Sequence, residues 1–121
     1  MINCLAVGLG GCIGSVCRYL IGFLPINRDS IFPTCTLLIN VIGAFLLGLI
    51  VTAATKEATI SNRLILFLKI GICGGFTTFS TFAYETANLL TGSHPLMGIT
   101  YAFLSSVLGV SAVLLGQLVL R

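Results

Sequence analysis

Charge is what this chain most lacks. Of its 121 residues, 7% are charged and three are acidic, against 57% hydrophobic; soluble domains carry about 25% charged residues. With a mean hydropathy of +1.14, the composition excludes an ordinary soluble domain and indicates a polytopic membrane protein. The formal charge of +3 is small and scattered. Without a basic cluster or a recognisable motif, nucleic acid is excluded as a partner. Tryptophan is absent, which removes the ring best suited to stacking on flat cations. The five cysteines (Cys4, Cys12, Cys17, Cys35 and Cys73) show no C-x-x-C spacing, and one histidine adds little. They do not form a zinc set. They read as small apolar packing residues, and a four-helix thiol–quinone oxidoreductase is disfavoured. The N-terminus lacks a basic region, and its apolar run is too long for a secretory signal, so it is read as a retained first helix.

What is present is four long apolar runs, each near the roughly 20 residues that cross a bilayer. They cover about 3–24, 34–54, 63–90 and 96–120. The first stops at Pro25. A loop over 26–33 carries Arg28 and Asp29, the connector 55–62 carries Lys56 and Glu57, and 91–95 reads Thr-Gly-Ser-His-Pro, strong turn chemistry. The expectation is a single all-α transmembrane domain over 1–121, without linker, repeat or low-complexity tract, with both ends on one side. If that side is cytoplasmic it gains Lys56, Arg63 and Arg121, and Lys69 if it counts; Arg28 and Arg18 lie opposite. The bias towards termini inside rests on few charges and is compatible with insertion both ways.

The most informative stretch is Gly71 to Glu85, GICGGFTTFSTFAYE. Two adjacent glycines are followed by Thr77, Thr78, Ser80 and Thr81, interleaved with Phe76, Phe79 and Phe82. Glycine permits backbone geometry that other residues resist. A helix unwound in a bilayer survives only where protein or a polar cavity receives its amides and carbonyls. A break rich in donors points to an ion site.

Polar and small residues recur on stripes elsewhere. Gly10, Gly14, Arg18 and Gly22 share a face of the first helix. The glycines suit close packing. Arg18 lies about 9 Å of helix rise from Leu24; it either snorkels to the interface or faces an aqueous vestibule that concentrates anions. Thr36, Asn40 and Gly43/Ala44 share a face of the second helix. Asn40 either makes an interhelical hydrogen bond, typically worth about 0.6 kcal/mol, or turns its NH₂ donors to a passing anion. In the third helix Phe79 and Phe82 form one stripe, and Thr78, Thr81 and Glu85 its neighbour. The rings are core, or they offer positive edges to a partly dehydrated anion. Glu85 is the one carboxylate expected within a span: a functional candidate, or an acid that is protonated or interfacial. Tyr101, Ser105 and Gly109 align on the fourth helix; Ser105 either joins the polar track or back-bonds to its own helix. Lys69 sits inside the third run and is read as snorkelling. Four helices cannot enclose a generous pore, so a narrow path for a small, strongly hydrated ion would form between two copies.

These residues resemble the Fluc family of fluoride channels, also called CrcB proteins, over nearly the whole chain. The signature G-G-x-T-T-F-S-T-F-x-x-E runs from Gly74 to Glu85, supported by Gly10, Gly11, Gly14, Arg18–Tyr19, Thr36–Leu37, Asn40 and Gly43. The resemblance implies an antiparallel, dual-topology homodimer in the bacterial cytoplasmic membrane. Fluoride would be exported passively through two pores at the dimer interface. It implies a structural sodium ion at the interface, held by backbone carbonyls of Gly74 and Thr77. It implies pore-lining roles for Phe79 and Phe82, assistance to fluoride by Asn40, hydroxyls along the path from Ser80, Thr81, Tyr101 and Ser105, a flanking acid in Glu85 and a vestibular base in Arg18. The charge bias and Lys69 depart from the family pattern. A small multidrug exporter shares the plan but needs a carboxylate in the first helix, which this chain lacks. A non-transporting assembly subunit would carry no flux. No fuel or catalytic motif appears, so an enzyme is not expected.

Overall fold

A chain crossing hydrocarbon must satisfy its own amides, and helices do so span by span. The computed structural model describes residues 1–27, 30–57 and 59–121, and among them every regular element is helical. Four helices are long and apolar enough to cross a membrane: Ile2–Ile21, Thr34–Lys56, Asn62–Thr91 and Pro95–Val119. They are called the first to fourth spans below. Arg28 and Asp29, expected in the first loop, lie outside the described residues.

Local chemistry sets the span ends. The first span stops at Ile21, short of the expected residue 24, because the chain tightens. The Phe23 and Leu24 N–H groups donate three residues back, to Leu20 and Ile21, at 3.1 and 3.0 Å, and a 3₁₀ turn over Pro25–Asn27 follows. Proline precedes the second span at Pro33 and opens the fourth at Pro95, where its missing N–H costs nothing. Ser61 caps the third span: its Oγ accepts the Leu64 N–H at 3.3 Å. The second span runs past the expected residue 54 to Lys56, whose Nζ donates to the Arg121 backbone oxygen at 2.8 Å.

The third span is not one helix. An α-helical turn at Asn62–Ile65 widens into a π-helix over Leu66–Cys73, returns to α at Gly74–Phe76, and restarts as an α-helix at Phe79–Thr91. Between them Thr77 and Thr78 are extended, at φ/ψ of −77°/158° and −147°/111°. The break therefore falls just after the paired glycines, not on them. Gly74 is helical at φ −66°, ψ −36°, and no described residue has positive φ. The π winding gave no sign in the composition.

What the glycines provide is proximity. The leading half of the third span packs along the first, the second packs along the fourth, and Phe79–Thr91 leans on the fourth. A methyl on Gly10 would lie 2.9 Å from Gly71 Cα, and one on Gly75 would lie 3.0 Å from Gly11 Cα. These backbones touch directly, as small-residue stripes allow. Gly22, counted on the same stripe, instead ends the helix. The first and second spans meet only lightly, which leaves a wedge between them beneath the break.

Candidate functional site

The break organises the polar residues. Asn40, from the second span, grips Thr78 on both sides of its peptide: Oδ1 accepts the Thr78 N–H at 2.8 Å, and Nδ2 donates to the Thr78 carbonyl at 3.1 Å. The interhelical reading of Asn40 is thus realised, with a backbone partner. The amide has a second N–H beyond this grip. Thr78 caps the restarted helix, its Oγ1 accepting the Thr81 N–H at 3.1 Å. The same hydroxyl donates to Thr81 Oγ1 at 2.9 Å and lies 3.3 Å from Ser80 Oγ.

Two cavities flank this knot. One, of about 300 Å³, is lined by Asn40, Thr77, Phe79, Phe82, Ser105 and Ser106. The Phe79 and Phe82 rings have centroids 5.6 Å apart and are tilted 48° to each other. Phe79 is 79% exposed, so one chain walls this cavity on one side only. Ser105 Oγ is buried there, beside the Tyr101 phenol. It is the neighbouring Ser106 that back-bonds, to the Ala102 carbonyl at 2.9 Å.

The other cavity, about 530 Å³, lies in the wedge between the first and second spans and includes Arg18, Thr36, Thr78, Thr81 and Glu85 in its lining. Glu85 is held from both sides: Oε1 accepts from Thr36 and Oε2 from Tyr101, each at 2.8 Å. Tyr101 is fully buried. Its ring meets Phe82 at 5.3 Å and Phe32 edge-on at 5.4 Å. That one phenol therefore joins the aromatic row to the acid. Arg18 is half-buried and lines the same cavity.

The chain's relationships fit this arrangement. A family described as CrcB-like protein, Camphor Resistance (CrcB), matches residues 5–117. The chain belongs to the CrcB family. Among curated relatives, the "Fluoride-specific ion channel FluC" of Ruminiclostridium cellulolyticum is 42% identical over 123 residues, covering 100% of this chain and 94% of the relative. The protein of the same name from Clostridium perfringens strain 13 is 42% identical over 122 residues, covering 100% and 95%. That from Methanopyrus kandleri is 44% identical over 113 residues, covering 93% and 84%.

On this CrcB chain the candidate residues fall into three groups. Asn40, Phe79, Phe82 and Ser105 line the first cavity with Thr77; Arg18, Thr81 and Glu85 line the second, with Tyr101 bonded to Glu85. Ser80 touches the Thr78 hydroxyl, on an exposed surface. Gly74 and Thr77 line a third recess, about 260 Å³, with Gly43, Ala44, Leu47, Cys73 and Lys69. Sequence reasoning missed Ser106 as a wall residue, although it adjoins Ser105. It also noted Thr36 without giving it a role; the span from Thr36 to its carboxylate partner is 49 residues, beyond any helical periodicity.

Proposed function

We propose that this CrcB protein is a fluoride channel: a homodimer of oppositely inserted copies that lets fluoride leave the cytoplasm passively through two pores at their interface, lowering fluoride toxicity. The observation that carries this reading is the first cavity. A serine hydroxyl, an amide with a spare N–H and two phenylalanine rings line a hollow that a single chain does not close. A second copy would complete the wall. The name "Fluoride-specific ion channel FluC" carried by the relatives supplies the ion.

Fluoride is small and holds its water strongly, so a narrow path must offer substitutes as water is shed. Here the Ser105 hydroxyl and Asn40 amide donate. The ring edges of Phe79 and Phe82 present positive rims that attract an anion without trapping it. Arg18 raises the local anion concentration in the wedge. Glu85 is already bonded by Thr36 and Tyr101, which orients both hydroxyls along one wall. Chloride is excluded by bore. Fluoride entering as HF from acidic surroundings ionises inside and leaves down its gradient, so no fuel is needed.

On this reading sodium would sit in the recess beside the break. Unwound backbone in membrane proteins offers carbonyl oxygens to this ion. Gly74 is exposed, and a methyl there would meet nothing within 4 Å, so a partner copy has room to approach. Gly74 and Thr77 would hold sodium through their carbonyls, with the equivalent pair from the second copy. The ion would supply a fixed positive charge on the dimer axis.

The test is fluoride efflux from proteoliposomes, read with a fluoride electrode and with chloride as control. Rapid fluoride loss with retained chloride is expected. Vesicles that stay tight to fluoride would overturn the reading.

A further inference from the structure

The two carbonyls assigned to sodium share a property that neither glycine nor composition explains. In an unbroken helix each carbonyl accepts the N–H four residues on. For Gly74 that donor is Thr78; for Thr77 it is Thr81. Both donors are diverted to side chains. The Thr78 N–H goes to Asn40 Oδ1 at 2.8 Å, and the Thr81 N–H goes to Thr78 Oγ1 at 3.1 Å. Among the described residues, no backbone bond runs from Thr78 to Gly74 or from Thr81 to Thr77. The residue just before shows the default: the Thr77 N–H still donates to the Cys73 carbonyl at 3.0 Å.

We propose that Asn40 and Thr78 are positioning residues for the cation. Their side-chain oxygens capture the two N–H groups that would otherwise consume the Gly74 and Thr77 carbonyls, and so they make the cation site without binding the ion. This rests on the sodium reading above and adds what creates the site. It also ties the pore to the cation. Asn40 faces the fluoride cavity, so one amide serves both ions, its oxygen by releasing a carbonyl and its NH₂ by donating. Remove Oδ1, and the Thr78 N–H loses its acceptor, which favours rewinding of the helix onto the Gly74 carbonyl. Remove Oγ1, and the Thr81 N–H turns to Thr77. Either change withdraws an oxygen from each copy's half of the site.

The experiment uses the purified full chain and reads, by size-exclusion, the sodium concentration at which half of the sodium-dependent dimer has formed. Thermal unfolding and size-exclusion are followed at constant ionic strength, with N-methylglucamine replacing sodium. Ligand binding to the folded state stabilises it as ln(1 + L/Kd), L being the free ligand concentration, without saturating, so thermal unfolding in sodium-free buffer reports intrinsic stability and the dimer fraction supplies the midpoint. Thr78→Val and Asn40→Leu are expected to move the midpoint up by about tenfold or more, while Thr78→Ser, which keeps the hydroxyl, stays within about twofold of the parent. Unmoved midpoints in Thr78→Val and Asn40→Leu would overturn the proposal. So would Thr78→Ser shifting as far as Thr78→Val, because the hydroxyl would then not be the cause. If Asn40→Leu does not fold, the valine and serine pair decides alone. A parent protein indifferent to sodium would sink the sodium reading itself, a different result from unmoved midpoints in a sodium-responsive dimer.

Discussion

The two halves of the third span do opposite jobs with adjacent residues. The leading half is π-wound, lined with glycine and pressed backbone to backbone on the first span. The trailing half is α-helical and is met by side chains: Phe82 against Tyr101, Glu85 to Tyr101 and Thr36, and the Asn40 amide on the Thr78 backbone. One half supplies position, the other chemistry. A membrane helix that must do both cannot do so along a single face. The two-residue interruption lets one span use two neighbours.

The contrast predicts its own failures. Gly75→Ala should have the largest effect, because a methyl there lies 3.0 Å from Gly11 Cα and meets backbone that has nowhere to go. Overpacking of this kind costs about 1–3 kcal/mol or more, so loss of a monodisperse species in detergent is expected. Gly74→Ala, one residue away, meets nothing within the chain. It should leave the fold intact and affect only assembly or cation dependence. Equal damage from both would erase the distinction between the two faces.

On the trailing half, Phe82→Ile or Phe79→Ile should lower fluoride efflux by about tenfold or more with thermal stability nearly unchanged, because ring edges and not bulk are lost. Unchanged flux in both would remove the aromatic path. Next in size, Tyr101→Phe deletes one hydroxyl bond to Glu85 and should reduce stability by about 1 kcal/mol, the usual scale for such a bond. A cost far above that would show that the acid organises the whole wall. The smallest effect belongs to Lys69→Met. Lys69 lines the recess of Gly74 and Thr77, and removing a like charge should lower the sodium midpoint by about twofold to fivefold at low salt. A rise would mean that Lys69 helps to hold the recess together.

Much of this architecture was legible in the amino-acid order. The spans followed from hydropathy, and prolines at 25, 33 and 95 placed three of the boundaries to within a few residues. The Gly74–Glu85 signature located the break almost to the residue. Two things were not legible. The π winding of Leu66–Cys73 uses the same apolar residues as an α-helix, and only the bonding pattern differs. The cause of the break was attributed to Gly74 and Gly75, whereas the diverted N–H groups belong to Thr78 and Thr81. That diversion needs Asn40, 38 residues away, and no periodicity in one helix announces a partner on another. Ser105 was readable as polar, but its place beside the Tyr101 phenol emerges only once its neighbours are packed around it.

The interruption at Thr77–Thr78 looks like a joint, yet it is tied at Thr78 N–H, Thr78 carbonyl and Thr81 N–H. A seam fastened that way does not swing. What remains free beside it is a phenyl ring, moving in picoseconds to nanoseconds, where domain rocking takes microseconds to milliseconds. On the proposed reading, throughput is set by how fast one ion follows another, with no turnover cycle to wait for, which is the line between a conduit and a carrier.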